Sequence, residues 1–148
     1  MSVLKKVKEA RQAALKMANL PLEVRNGALE KAAREIENRK DAILEANRSD
    51  LRRAERLVKL GKMTKALYNR LVLTEKKIRS IAESMRSVAS LPDPLNRTVY
   101  SCRLDEGLDL YKVTCPIGVI GAIFEARPDV LPQISSLCLK SGNAVVLK

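Results

Sequence analysis

The chain of 148 residues contains no histidine and no tryptophan, and its aromatic side chains are three tyrosines and one phenylalanine. Without histidine, a Ser-His-Asp triad, a Cys-His pair and a His-containing zinc site are excluded within it. With so few rings, the core must be built from Leu, Ile, Val and Ala. Cysteine is scarce too: Cys102, Cys115 and Cys138 are odd in number and lack a CxxC spacing, so they read as free thiols in a reducing compartment, and no metal site is expected. Cys115 before Pro116 and Cys138 between Leu137 and Leu139 read as packing residues, and Cys102 lacks chemical neighbours. Long apolar runs are also missing. The longest uncharged stretch, Val113 to Phe124, contains Pro116 and falls far short of the ~20 apolar residues of a spanning helix. The N-terminus interleaves Lys5, Lys6, Lys8 and Glu9 with apolar positions, unlike a signal peptide. A soluble cytoplasmic chain with no membrane partner is the expectation.

What the sequence does have is positive charge. The formal net charge is +11, on a composition 46% hydrophobic and 30% charged that suits a globular fold. Residues 1–90 carry 22 basic and 11 acidic side chains, whereas residues 91–148 carry six of each. The first region has one proline and two glycines; the second has five and four. Two architectures therefore meet near Pro92-Asp93-Pro94, where no helix can continue.

Helical periodicity dominates the first region. Leu4, Val7, Arg11, Ala14, Leu15 and Ala18 share a face until Asn19 and Pro21 interrupt. A second helix starts near Pro21, with Val24, Ala28, Ala32, Ile36 and Ile43 expected inward. The capping residues at Asn47–Asp50 predict a break there. Thr64 opens a short helix and Thr74 a longer one, with Ile78, Ile81, Ala82, Met85, Val88 and Ala89 inward.

After residue 92 the period changes. Thr98–Leu104 and Leu108–Thr114 read as strands joined by a turn at Asp105-Glu106-Gly107. Ile117–Phe124, apolar on both faces, reads as a strand buried on both sides. Asp129 is placed to cap a helix reaching Lys140, Pro132 is tolerated in its first turn, Gly142 ends it, and Asn143–Leu147 is a second strand. Strand, helix and strand make one βαβ unit. Such units bind ligands at the carboxyl ends of their strands, which directs attention to Glu125, Ala126 and Arg127. Pro116-Ile-Gly-Val-Ile-Gly121 is not a GxGxxG loop, because its glycines lie within the expected strand, where they would admit a neighbouring element.

Residues 115–148, CPIGVIGAIFEARPDVLPQISSLCLKSGNAVVLK, resemble the gamma-glutamyl phosphate reductase family, a branch of the aldehyde dehydrogenase superfamily. The likeness lies in Pro-Ile-Gly-Val-Ile-Gly, Phe-Glu-Ala-Arg-Pro-Asp-Val and Leu-Cys-Leu-Lys-Ser-Gly-Asn-Ala-Val. Ile43-Leu-Glu-Ala-Asn47, Arg70-Leu-Val-Leu-Thr74 and Asp93-Pro94-Leu95 fit the family's N-terminal region. The resemblance implies an α/β chain in three stretches. Residues 1–92 would be the helical portion of a cofactor-binding region, 93–114 a hairpin like the family's bridging and oligomerisation segment, and 115–148 the start of a Rossmann-like open parallel sheet.

The activity it implies is NADPH-dependent reduction of L-glutamate 5-phosphate to L-glutamate 5-semialdehyde and phosphate, in proline biosynthesis. The family's nucleophilic cysteine lies downstream of this segment and matches none of the three thiols, so no catalytic residue is expected here. Cofactor binding (NADP) carries over to Ile123, Phe124, Glu125, Ala126 and Arg127, and to Lys148 for the adenosine ribose or its phosphate. A solvated lysine is the lesser alternative for Lys148. Arg127 stands where ordinary aldehyde dehydrogenases have an asparagine. It is a candidate contact for substrate phosphate or the developing oxyanion, or else a structural partner of Glu125 or Asp129. A homo-oligomer through the hairpin and a small-molecule substrate are implied. An inactive fragment serving only as a fold or interaction module is the alternative. A basic nucleic-acid-binding module fits less well, because Lys31, Arg34 and Lys40 interleave with Glu30, Glu35, Glu37 and Asp41, and no aromatic platform is present.

Overall fold

The computed structural model describes residues 2–148. Five helices come first: α1 (Val3–Met17), α2 (Leu22–Asn38), α3 (Lys40–Lys59), α4 (Lys65–Leu71) and α5 (Glu75–Ser90). A hairpin of β1 (Thr98–Asp105) and β2 (Leu108–Val113) follows, then β3 (Val119–Ala122), α6 (Val130–Lys140) and β4 (Ala144–Leu147). Their starts follow local chemistry. The hydroxyls of Ser2, Thr64 and Thr74 accept from the backbone N–H of Lys5, Leu67 and Lys77, satisfying donors that a helix start leaves open.

The core lies between α2 and α5, which run antiparallel: Lys40 after α2 meets Glu75 at the start of α5, and Arg25 near the start of α2 meets Asp93 beyond the end of α5. Ala33 and Ala82 are wholly buried beside Met85, with Ala32, Ile36 and Ile81 around them. Small residues here let the two helices approach closely. The inward positions of α5 are as its periodicity predicts, with Ile78, Ala82, Met85 and Ala89 buried. On α2 the fully buried residues are Arg25, Leu29 and Ala33; of the expected face Ala32 and Ile36 pack against the core, while Val24 is half exposed. The departure is at the start of the helix, where Arg25 and not Val24 points inward, to three oxygen partners.

Those partners form a buried polar keystone. Arg25 donates to the carbonyls of Leu20 and Lys140 and to the carboxylate of Asp93, the last at 2.6 Å. Lys140, only 3% exposed, donates through Nζ to Asn26 Oδ1 and to the Ala89 carbonyl, each at 2.8 Å. One cluster thus ties α2, the end of α5, the Pro92-Asp93-Pro94 turn and α6 together. The Arg25 guanidinium holds the Asp93 carboxyl below the usual carboxylate range, and burial pushes the Lys140 ammonium down. No buried side-chain polar atom lacks a partner among the described residues.

The expected break at Asn47–Asp50 is absent: α3 runs through it, and the chain turns at Arg39 instead. Asn47 is buried, and its amide clamps the α4–α5 connection rather than capping a helix. Nδ2 donates to the Leu71 carbonyl at 2.8 Å and Oδ1 accepts from the Leu73 N–H at 3.0 Å.

β1 and β2 pair antiparallel, with Gly107 at φ 74° in the turn as anticipated. Every hairpin residue except Cys102 is exposed. β3 and β4 pair parallel in register from Val119 with Ala144 to Ala122 with Leu147, giving the βαβ unit. α1 packs along both strands, and α6 against β4, α5 and α2. The strand expected over Ile117–Phe124 is only four residues long. It is part-exposed rather than buried on both sides, and Ile117 and Ile123 at its flanks stand in solvent. Gly118 lies before the strand, and neither it nor Gly121 has an atom close enough to exclude a side chain. The need at Gly118 is conformational instead, since its φ is +117°.

Candidate functional site

Two features converge at the carboxyl ends of the parallel strands. The pairing of β3 with β4 continues one step past the ladder: Lys148 N donates to the Ala122 carbonyl and Phe124 N to the Lys148 carbonyl, each at 2.9 Å. This places Ile123, Phe124 and Lys148 at one sheet end, where the strands open into the loop leading to α6. Ile123, Glu125, Arg127 and Lys148 are exposed, Phe124 and Ala126 half-buried.

Ala126 has φ 51°, a left-handed conformation unfavourable for a residue with a Cβ. Next to it, Arg127 Nη2 donates to Asp129 Oδ2 at 3.3 Å, so of the two acids open to it Asp129 is the partner. That contact explains a departure at α6. Asp129 has helical backbone angles and its side chain caps nothing, because its carboxylate turns to Arg127.

Beneath Arg127 lies a cleft of about 380 Å³ between α5, the end of α4 and the start of α6. Arg70, Lys77, Ser80, Ser84, Arg127, Asp129 and Gln133 give it a polar lining with three cations and one carboxylate. Such a lining suits an anion with more than one negative charge. Lys77 Nζ donates to the Val72 carbonyl, which fixes its ammonium at the α4–α5 connection. Asn47 clamps this same connection at Leu71 and Leu73.

No family-level sequence model matches the chain. Individual proteins do. It is 54% identical over 143 residues to gamma-glutamyl phosphate reductase from Haloquadratum walsbyi, covering 97% of this chain and 31% of that protein. The enzyme of the same name from Brachyspira hyodysenteriae is 46% identical over 148 residues, covering 100% and 34%. The crystal structure of gamma-glutamyl phosphate reductase from Saccharomyces cerevisiae superimposes with a TM-score of 0.92 at 36% identity, covering 100% of this chain and 37% of that one.

The chain is homologous to gamma-glutamyl phosphate reductase. It spans about a third of the length of the curated relatives it matches, and corresponds to their N-terminal portion. The Thermotoga maritima reductase structure agrees, with a TM-score of 0.88 at 35% identity over 97% of this chain and 34% of that one. The α/β fold expected from the resemblance is the one observed.

Within this homologue the thiols differ from one another. Cys138 is buried, and burial pushes its thiol up, away from the reactive thiolate. Cys115, expected to pack, is exposed instead, because the strand expected to follow it begins only at Val119. Residue types alone draw attention to Arg127 but miss Arg70, Lys77, Ser80, Ser84 and Gln133. A signal for three of them is present. Lys77, Ser80 and Ser84 recur at i, i+3 and i+7, a polar stripe beside the apolar stripe of α5. Arg70 and Gln133 lie on other helices, and only the fold brings them in.

Proposed function

We propose that this chain is the cofactor-side segment of a reductase that converts L-glutamate 5-phosphate to L-glutamate 5-semialdehyde and phosphate. In the balanced reaction hydride joins the acyl carbon, the bond from that carbon to the phosphate oxygen breaks, and a proton is taken up as phosphate leaves. The observation that carries this reading is the cleft, where Arg127 beside a strained strand-to-helix loop suits an acyl phosphate and the lining as a whole suits a substrate with more than one anionic group. The nucleophilic thiol would come from a domain beyond these residues, since none of Cys102, Cys115 and Cys138 lines the cleft.

The residues present fit a nicotinamide dinucleotide phosphate. Adjacent parallel strands open at their carboxyl ends, Lys148 offers an exposed ammonium there, and the loop over Ile123–Arg127 is accessible. When bound, NADPH supplies the hydride. Lys148 would hold the adenosine ribose or its phosphate, and Ile123 and Phe124 would flank the nicotinamide half. Arg127 would orient the substrate phosphate and offset the charge that grows on the oxygens as the acyl carbon is attacked.

The proposed division is a helical region over residues 1–92, a hairpin over 93–114 and the sheet start over 115–148. The hairpin is read as an oligomer contact. A two-stranded ribbon is marginal on its own in water, yet Val99, Tyr100, Leu104, Leu108, Leu110, Tyr111 and Val113 are exposed on it.

The test uses the full-length protein carrying this segment, assayed for phosphate-dependent oxidation of glutamate semialdehyde through NADPH formation. Turnover that requires phosphate is the expected outcome. Arg127→Gln should lower kcat/KM by roughly a hundredfold while the protein stays folded, since it removes a charged donor from the reacting group. A wild-type protein inactive with phosphate and NADP, or an Arg127→Gln variant with unchanged kinetics for phosphate, overturns the assignment.

A further inference from the structure

The polar stripe on α5 does more than enlarge the anion site under Arg127. Several cations on the helices have a nearby acid: Arg39 pairs with Glu35, Arg48 and Arg52 with Glu45, Lys59 with Glu55, Lys40 with Glu75, and Arg86 with Glu30 and Glu37. Arg70 and Lys77 do not. Among the described residues neither has a carboxylate within 4.0 Å, and both line the cleft that holds Arg127. Surface cations without acids are common singly. Two of them on different helices, joined by Ser80, Ser84 and Gln133 around one concavity, make a constellation of donors.

The substrate of the proposed reaction has two anionic ends. Besides the phosphate at the reacting end, glutamate 5-phosphate carries a carboxylate and an ammonium at the other. One guanidinium serves one anion. Arg127 is engaged with Asp129 and sits on the strained loop next to the sheet end, whereas Lys77 is held at the α4–α5 connection by the Val72 carbonyl and by the helix cap at Thr74. The cleft therefore offers cations at separate anchoring points on separate elements.

We propose that Arg70 and Lys77, assisted by Ser80 and Ser84, bind the α-carboxylate of the substrate and so set the enzyme's selectivity for an amino-acid acyl phosphate over a simple one. Asp129 is the acid in the same cleft and supplies the complementary charge for the α-ammonium. This assignment rests on the reductase reading above and deepens it. It makes Arg70 and Lys77 specificity-determining residues with no role in the hydride step.

The experiment compares two aldehydes in the full-length protein with phosphate and NADP: glutamate semialdehyde, and 4-aminobutanal, which has hydrogen in place of the carboxylate. Wild type should favour the first by at least a hundredfold in kcat/KM. Arg70→Gln and Lys77→Gln should each lower kcat/KM for glutamate semialdehyde roughly ten- to hundredfold, through KM, the range for losing a charged hydrogen bond. They should leave 4-aminobutanal unchanged, so that the preference contracts by the same factor, and Lys77→Arg should restore most of it. Equal losses on both aldehydes, or a raised KM for phosphate in place of a raised KM for the aldehyde, would overturn the inference while leaving the reductase reading intact. No turnover of either aldehyde by the wild type overturns both.

Discussion

Two groups of cations in this molecule have opposite surroundings. Around Arg25 and Lys140, every donor the side chains direct inward meets an oxygen, and one carboxylate, Asp93, serves both charges. Around Arg70, Lys77 and Arg127 the charges stand at the wall of an open cleft with Asp129 alone against them. The first group is complete without a ligand, and its cost of desolvation is met by hydrogen bonds to the chain itself. The second is incomplete, and solvent screens it until an anion arrives. Cation number is similar in the two places, so composition says nothing about which is structural. The inventory of partners decides it.

That contrast is broken most severely by removing the shared carboxylate. Asp93→Ala leaves two buried cations without an anion and should destabilise the chain by about 3 kcal/mol or more, read from the urea midpoint. Lys140→Met should cost less, about 1–2 kcal/mol, because it leaves one cation matched to one carboxylate and replaces the other with an apolar stem. A reversed order would mean that the lysine's hydrogen bonds, and not the charge balance, hold the keystone. The pH dependence carries the same information. Asp93 has a folded pKa below its unfolded one, so its contribution is full above about 3.9 and is lost as pH falls through the lowered value. Lys140 is also lowered in the fold. The unfolded chain therefore binds the extra proton, and stability rises with pH between the lowered value and about 10.4. Asp93→Asn should remove the acid slope and Lys140→Met the alkaline one, while Arg127→Gln leaves both in place.

A smaller change sharpens the cleft side of the comparison. Asn47→Ala frees the Leu71 carbonyl and the Leu73 N–H together and should cost about 2 kcal/mol. It should also loosen the connection that positions Lys77, which hydrogen–deuterium exchange at Leu73 would report directly. Protection at Leu73 that survives the substitution would show that α4 is held by packing alone.

Much of this architecture is legible in the sequence, and the reasons are local. Thr64, Thr74 and Gly107 act within a few residues of themselves, and the periodicity of α5 needs no knowledge of its partner. Asn47 and Arg25 mislead for the opposite reason. Asparagine before Ser49 and Asp50 looks like a cap, but its partners lie 24 and 26 residues on, and the carbonyl that draws Arg25 inward lies 115 residues away. The strand around Ile117–Phe124 looks buried on both faces, but within residues 2–148 β3 packs chiefly against β4 and α1, and its flanks remain in solvent. At the site, Arg127 is visible because it occupies an unusual place in a recognisable segment. Arg70 opens a stretch that resembles the family, but nothing local ties it to the cleft, and Gln133 carries no mark of that role either.

The smallest expected effect concerns strain, which the cleft has and the keystone lacks. Among the described residues two non-glycine positions have positive φ, Asn96 at 55° and Ala126 at 51°. Asparagine tolerates this region and alanine does not, since its Cβ crowds the backbone while its side chain offers no local hydrogen bond in return. Ala126→Gly should therefore raise the urea midpoint by an amount equivalent to about 0.5–1 kcal/mol, after allowance for the greater freedom of glycine in the unfolded chain. Asn96→Gly, at nearly the same φ, should stay within about 0.5 kcal/mol of the parent. A fall at Ala126 would mean that the loop carries no releasable strain and that glycine merely loosens Arg127. A rise confined to Ala126 would locate the strained backbone next to the one cation that faces the reacting phosphate.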